Sequence, residues 1–204
     1  TGVVGTVTAV GAEGDDLFVF TQDGANLNDA RLYSSEVAGG AGSDTFNIAG
    51  GAWTSEFRGG AGNDVFELGT NYTKTNIKGG ADGDSFTGGA NFTLNAAGTA
   101  FATLGTPAQV AVAAVDENNA TILELDTSKI RGQGGNDTAM DFRGFLVSSD
   151  SSTINGNGGN DTIRLGFFDT VDGLLIAGGA NDDDINAELD PTAPDGIQFN
   201  GGSG

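Results

Sequence analysis

The chain has 204 residues, enough for one domain, with 36 glycines, 28 acidic residues against 8 basic ones and a formal charge of −20. That balance excludes a nucleic-acid partner, whose phosphates need Lys and Arg, and insertion into or binding to an anionic membrane. The absence of Cys and His excludes disulfides, thiolate or imidazole metal sites and His-based catalysis.

Two states are compatible with so much negative charge. One is a disordered, self-repelling chain. The other is a folded chain whose carboxylates are neutralised by bound cations. Thirteen Phe, with Val, Ile and Leu throughout, favour the folded state. No apolar run is long enough to span a bilayer.

Taken in chain order, one motif returns. Written G-G-x-G-x-D-x-U-x with U apolar, it occurs as GAEGDDLFV from Gly11, GGAGSDTFN from Gly39, GGAGNDVFE from Gly59 and GGADGDSFT from Gly79. It resumes as GQGGNDTAM from Gly132, GNGGNDTIR from Gly156 and GGANDDDIN from Gly178. The aspartates in alignment are Asp16, Asp44, Asp64, Asp84, Asp137, Asp161 and Asp183. Two residues before the successive motifs stand Ala9, Val37, Phe57, Ile77, Ile130, Ile154, Ile176 and Phe199. Two residues after the aspartates stand Phe18, Phe46, Phe66, Phe86, Ala139, Ile163 and Ile185.

Two apolar columns flanking one acidic column predict a stacked fold. Tripeptides such as EFR, NIK and TIN place one inward residue between two polar ones, which is strand alternation. A unit repeated about every 20–24 residues means a solenoid. The prediction is an all-β, right-handed parallel β-solenoid, with a turn (GGAGND), a strand (VFEL), a second turn (GTNYTK) and a strand (TNIK) in each coil.

The organisation expected is a set of N-terminal coils over 1–87, with a loop insert at 21–36, and a C-terminal set over 130–204. Between them, residues 88–129 form an irregular insert or motif-free coils. Within it, TPAQ (106–109) could cap a helix, whereas QVAVAAV and ATILELD around DENN read as a hairpin, which is the preferred reading. The closing NGGSG opens a further copy of the motif, so the expectation is an excerpt of a longer chain.

The motif's residue types suit calcium. Ca2+ takes six to eight oxygens from carboxylates and carbonyls. Glycine lets carbonyls curl toward one point through φ > 0 backbone, and Asn63, Asn136 and Asn160, just before the aspartate, tolerate the same conformation. Each Asp then supplies charge, and its neighbour on the next coil supplies more. Carboxylates stacked ~4.8 Å apart would repel by about 3.5 kcal/mol per pair at an effective dielectric of 20, so the ladder opposes folding unless cations sit in it. Magnesium, demanding tight octahedral geometry, should not substitute.

The nonapeptide resembles the RTX, or haemolysin-type, calcium-binding repeat, which forms a parallel β-roll in proteins mostly secreted by bacteria through a type I exporter. That resemblance covers residues 11–87 and 132–186. It implies that Asp44 and Asp64 are calcium ligands, with the carbonyls of Gly39, Ala41, Gly59, Ala61 and Asn63. The same roles in the other copies fall to Asp16, Asp84, Asp137, Asp161 and Asp183, and to Gly79, Asn136 and Asn160. The family's common roll has two motifs per coil and a calcium row on each edge. One motif per coil here predicts a single row, about one ion per coil interface. Longer coils of this kind look like those of bacterial surface-layer proteins and large adhesins. Asp82 and Asn181 break the glycine pattern, and Ala139 weakens the apolar column.

Three functions follow as expectations. The first is a secreted or cell-surface structural module stiffened by calcium, with further copies of itself or the rest of a longer chain as partner. The second is the calcium-folding tail of a secreted enzyme or toxin whose catalytic part lies outside this chain. The third, an enzyme in its own right, is disfavoured because no set of acids apart from the ladder stands out, so no catalytic role is expected.

Overall fold

The computed structural model describes residues 3–20, 31–48, 50–69, 71–89, 122–144, 146–165, 168–187 and 196–202. All of its regular structure is β, and every strand pairing is parallel. The fold is the expected parallel β-solenoid.

Two sheets enclose one core. The first has seven strands, one per coil, ordered Asp184–Ala187, Thr162–Leu165, Ala139–Gly144, Ser85–Gly89, Val65–Leu68, Thr45–Ile48 and Leu17–Phe20. The second has thirteen strands, because most coils contribute two segments to it. In one coil these are Ala52–Trp53 and Glu56–Ala61, in the next Tyr72–Thr73 and Asn76–Ala81. In Leu146–Gly158 and Phe168–Ala180 the two segments run together.

A corner separates the two segments. Ser34, Thr54, Lys74, Thr127 and Ser151 occupy it with φ of 47, 51, 49, 47 and 51°, a left-handed conformation unusual outside glycine. The next residue is a buried hydroxyl: Ser35, Ser55, Thr75, Ser128 and Ser152. Ser128 shows the reason. Its Oγ accepts the Thr75 N–H at 3.1 Å and donates to the Tyr72 and Asp126 carbonyls at 3.0 and 2.9 Å. Backbone polar groups freed by the bend thus find partners without water.

Columns of inward side chains fill the core, among them Ile48 with Leu68 and Phe142 with Leu165, which are buried strand partners. Val37, Phe57, Ile77, Ile130, Ile154 and Ile176 are direct strand partners and are buried, as the repeat implies. Phe18, Phe46, Phe66 and Phe86 stack with ring centroids 4.9, 4.5 and 5.0 Å apart, matching the rise between parallel strands. That column continues through Met140, not Ala139: Met140 pairs with Phe86 and Ile163 and is fully buried. The coil after Asp137 carries one extra residue, which shifts the inward position by one. Leu32, Ala52, Tyr72 and Leu125 form a further column, which passes through the buried Ser149 to Val171.

The inserts fall differently from the expectation. Arg31–Tyr33 is a strand pairing with Val3–Val4 and Ala52–Trp53, and Glu36 opens the strand Glu36–Ala41, so only 21–30 remains of the predicted loop, outside the described residues. Ile122–Asp126 lies between Tyr72–Thr73 and Leu146–Gly158, parallel to both. On the first side only Leu125 and Asp126 are paired, and the QVAVAAV half of the preferred hairpin lies outside the described residues. Lys129–Gly134 pairs directly with Asn76–Ala81, so no motif-free coil separates the two sets.

Candidate metal centre

The seven motif aspartates lie in one column along the turn that joins the two sheets. Each N–H donates to the Oδ1 of the aspartate one coil further on. The distances are 2.8 Å for Asp16 to Asp44, 2.8 Å for Asp44 to Asp64, 2.9 Å for Asp64 to Asp84 and 2.7 Å for Asp84 to Asp137. The ladder continues at 2.9 Å for Asp137 to Asp161 and 3.0 Å for Asp161 to Asp183. The 53 residues from Asp84 to Asp137 therefore span a single coil step.

The second carboxylate oxygen has no such partner. Oδ2 of Asp44, Asp64, Asp84, Asp137, Asp161 and Asp183 is buried and accepts no hydrogen bond. Asp44, Asp64, Asp84, Asp137 and Asp161 are at most 2% exposed. Each Oδ2 occupies the position where a Cβ on the motif's first glycine would stand, as Asp44 does beside Gly39, Asp64 beside Gly59 and Asp84 beside Gly79. The carbonyl oxygen of the next coil's first glycine approaches the same point. For Gly39 this is the Gly59 oxygen at 2.7 Å, for Gly59 the Gly79 oxygen at 2.5 Å, and for Gly132 the Gly156 oxygen at 2.8 Å. A carboxylate oxygen and a carbonyl oxygen of the next coil thus both border the space where that Cβ would stand.

Glycine serves two different needs in this turn. The first glycine of each motif is outside the left-handed region, and its side chain is forbidden by the carboxylate itself. Left-handed backbone is confined to the second and fourth positions, such as Gly60 and Gly62 with φ of 126 and 120°. Where those glycines are missing the conformation persists at four positions, though not at Ala12. Asp82, Gln133, Asn157 and Asn181 take φ of 72, 88, 76 and 82°. The substitutions at Asp82 and Asn181 therefore leave the turn's path unchanged.

Asn63, Asn136 and Asn160 do not adopt the left-handed backbone expected of them. They build an outer ladder instead: their Oδ1 atoms accept the N–H of Gly83 at 3.0 Å, Asn160 at 2.8 Å and Asp182 at 3.3 Å. The Ala41 and Ala61 carbonyls also have partners, accepting the Gly14 and Gly42 N–H at 2.7 and 2.8 Å. Among the residues named from the sequence, the structure brings together the aspartate Oδ2 atoms with the carbonyls of Gly39, Gly59 and Gly79. Gly132 and Gly156 join them, positions legible as the motif's first residue but not singled out.

Burial dominates the electrostatics of the column. It pushes Asp64 up to about 6, Asp84 to about 8 and Asp137 to about 7, against the opposing effect of the backbone N–H each accepts. Neighbouring carboxylates raise them further. Asp44 and Asp161 are raised for the same reasons. When the column is ionised, its inner oxygens have no counter-charge among the described residues.

The donor set fits a hard cation: anionic, composed only of oxygen, and orphaned. Among the described residues no three His, Cys, Asp or Glu side chains converge on one point. An ion here would take one carboxylate per coil and complete its shell from main-chain carbonyls. The chain matches no protein-family model, no curated protein and no solved structure, so its site is read from its own residues.

Proposed function

We propose that the chain is an extracellular calcium-binding structural module that folds and stiffens on calcium, as part of a bacterial surface layer, filament or adhesin. The observation that carries this reading is the row of six buried Oδ2 atoms without a donor. Leaving a buried charged oxygen unpaired costs far more than the coil's hydrogen bonds return. A divalent cation between coils removes that cost, and at ~100 times its dissociation constant it stabilises by roughly 2.7 kcal/mol per site. Asp16, Asp44, Asp64, Asp84, Asp137, Asp161 and Asp183 supply the charge, and the first-glycine carbonyls supply neutral oxygens. The role is structural, and no residue is assigned to catalysis. Location outside the cell agrees with weak sites that need abundant calcium.

Calcium titration followed by light scattering tests this. The radius of gyration should contract from near ~49 Å to ~17 Å, and magnesium at equal concentration should leave the chain expanded. Asp64→Ala should shift the calcium midpoint upward, and an unchanged midpoint would remove Asp64 from the ligand set. A chain that is equally compact with and without calcium contradicts the reading.

A further inference from the structure

Five of the eight basic residues, Arg58, Lys74, Lys78, Lys129 and Arg131, lie on the outward side of the thirteen-stranded sheet and at its corner. Lys78 is the direct strand partner of both Arg58 and Arg131. At one end the column is balanced, since Arg58 pairs with Glu36 at 3.0 Å and Glu56 at 2.9 Å, and Lys78 pairs with Glu56. At the other end it is not. Lys129 and Arg131 face Asn76, Lys78, Thr153 and Asn155 across the strands, and neither has an ion pair among the described residues. Like charges directly opposite on neighbouring strands are destabilising.

A second like-charge column lies across the left-handed corner on the same sheet. Its outward positions read Tyr33, Trp53, Thr73, Asp126, Asp150 and Asp172, each the direct partner of the next. Asp126 and Asp150 accept hydrogen bonds from the Thr127 and Ser151 hydroxyls, and no cation pairs with the three carboxylates among the described residues. The Tyr33 and Trp53 rings are 46% and 42% exposed, with centroids 5.9 Å apart. One chain thus carries an unbalanced cationic pair, Lys129 and Arg131 on a single strand, and an unbalanced acidic column over three successive strands, on facets divided by a bend.

We infer that these facets form a contact between copies of this chain, the cationic one of each copy docking on the acidic one of the next. The outward cationic pair Lys129 and Arg131 complements the acidic column of Asp126, Asp150 and Asp172 in charge, and Tyr33 with Trp53 adds exposed aromatic area of the kind that anchors interfaces. Because the facets are different surfaces, the contact is heterologous and propagates into an array instead of closing as a dimer. The inference rests on the structural-module reading above and names its self-association surface.

Charge reversal in calcium-containing buffer, read by sedimentation velocity, tests it. Lys129→Glu, at an exposed position, and the double variant Asp126→Lys with Asp150→Lys should each weaken self-association at least about tenfold. Mixing the two variants should restore hetero-association, since the intact acidic facet of one can dock on the intact cationic facet of the other. Wild type that stays monomeric at every concentration overturns the inference, as do a mixture that never associates and a Lys129 used instead to bind an acidic polysaccharide such as polygalacturonate. Circular dichroism of the same samples with and without calcium reports on calcium-driven folding separately, so a failure there is distinguishable from a failure of the contact.

Discussion

At the scale of single residues, the aspartate and the glycine five positions before it form one unit. Asp64 fits because Gly59 has no Cβ, and the Gly59 position is closed to any other residue by the Asp64 carboxylate together with the Gly79 carbonyl oxygen. Gly59→Ala should therefore destabilise the calcium-loaded fold by about 1–3 kcal/mol through overpacking, with a higher calcium midpoint. Gly5→Ala, at a position with open space and no left-handed φ, should stay within about 0.5 kcal/mol of wild type. Thermal unfolding of both in calcium checks the contrast, and an unaffected Gly59→Ala would contradict the packing described. This steric role was hidden in the sequence, where the first glycine looks like those at the second and fourth positions. The aspartate was legible because seven copies align. The outer ladder of Asn63, Asn136 and Asn160 was not, because Asn serves a left-handed turn and a side-chain acceptor equally well.

At the scale of elements, strand register converts a repeat into energy. The stacked rings of Phe46, Phe66 and Phe86 are each fully buried, with interplanar angles of 7° and 4° between neighbours. Phe66 sits between the other two, so Phe66→Ala opens a cavity lined on both sides by aromatic faces. The expected cost is about 3–5 kcal/mol, measured by chemical denaturation in saturating calcium. A loss below about 1 kcal/mol would mean that the ring is not in the core. This column was readable from Phe18 to Phe86 and again at Ile163 and Ile185 from its fixed offset after the aspartate. It failed at Met140 because one added residue after Asp137 moves the inward side chain by one, and strand alternation then exchanges the two faces. The hydroxyl corner went unread although it left a signal. Ser35, Ser55, Thr75, Ser128 and Ser152 each stand two residues before an inward apolar residue, at Val37, Phe57, Ile77, Ile130 and Ile154. Single Ser and Thr residues rarely mark a buried ladder, so only the alignment of five carries the information.

At the scale of the whole molecule, the acidic charge is distributed by function. The motif aspartates form a buried inner column, while Arg58, Lys78 and Arg131, with Glu36 and Glu56 paired to the first two, and Asp126, Asp150 and Asp172 lie outward on one sheet. The central claim is that the buried column needs a cation at neutral pH, and stability against pH, with and without calcium, tests it most directly. Asp64, Asp84 and Asp137 are raised in the folded chain to about 6, 8 and 7, from 3.8. A raised folded value means that the native state holds more protons than the unfolded one across that window. Without calcium, stability should therefore be greatest near pH 4 and fall as pH rises toward about 8. With saturating calcium the decline should disappear, because the ion replaces the protons. Stability that rises with pH in the absence of calcium, as for ordinary hydrogen-bonded carboxylates, or a decline that calcium does not alter, would contradict the account.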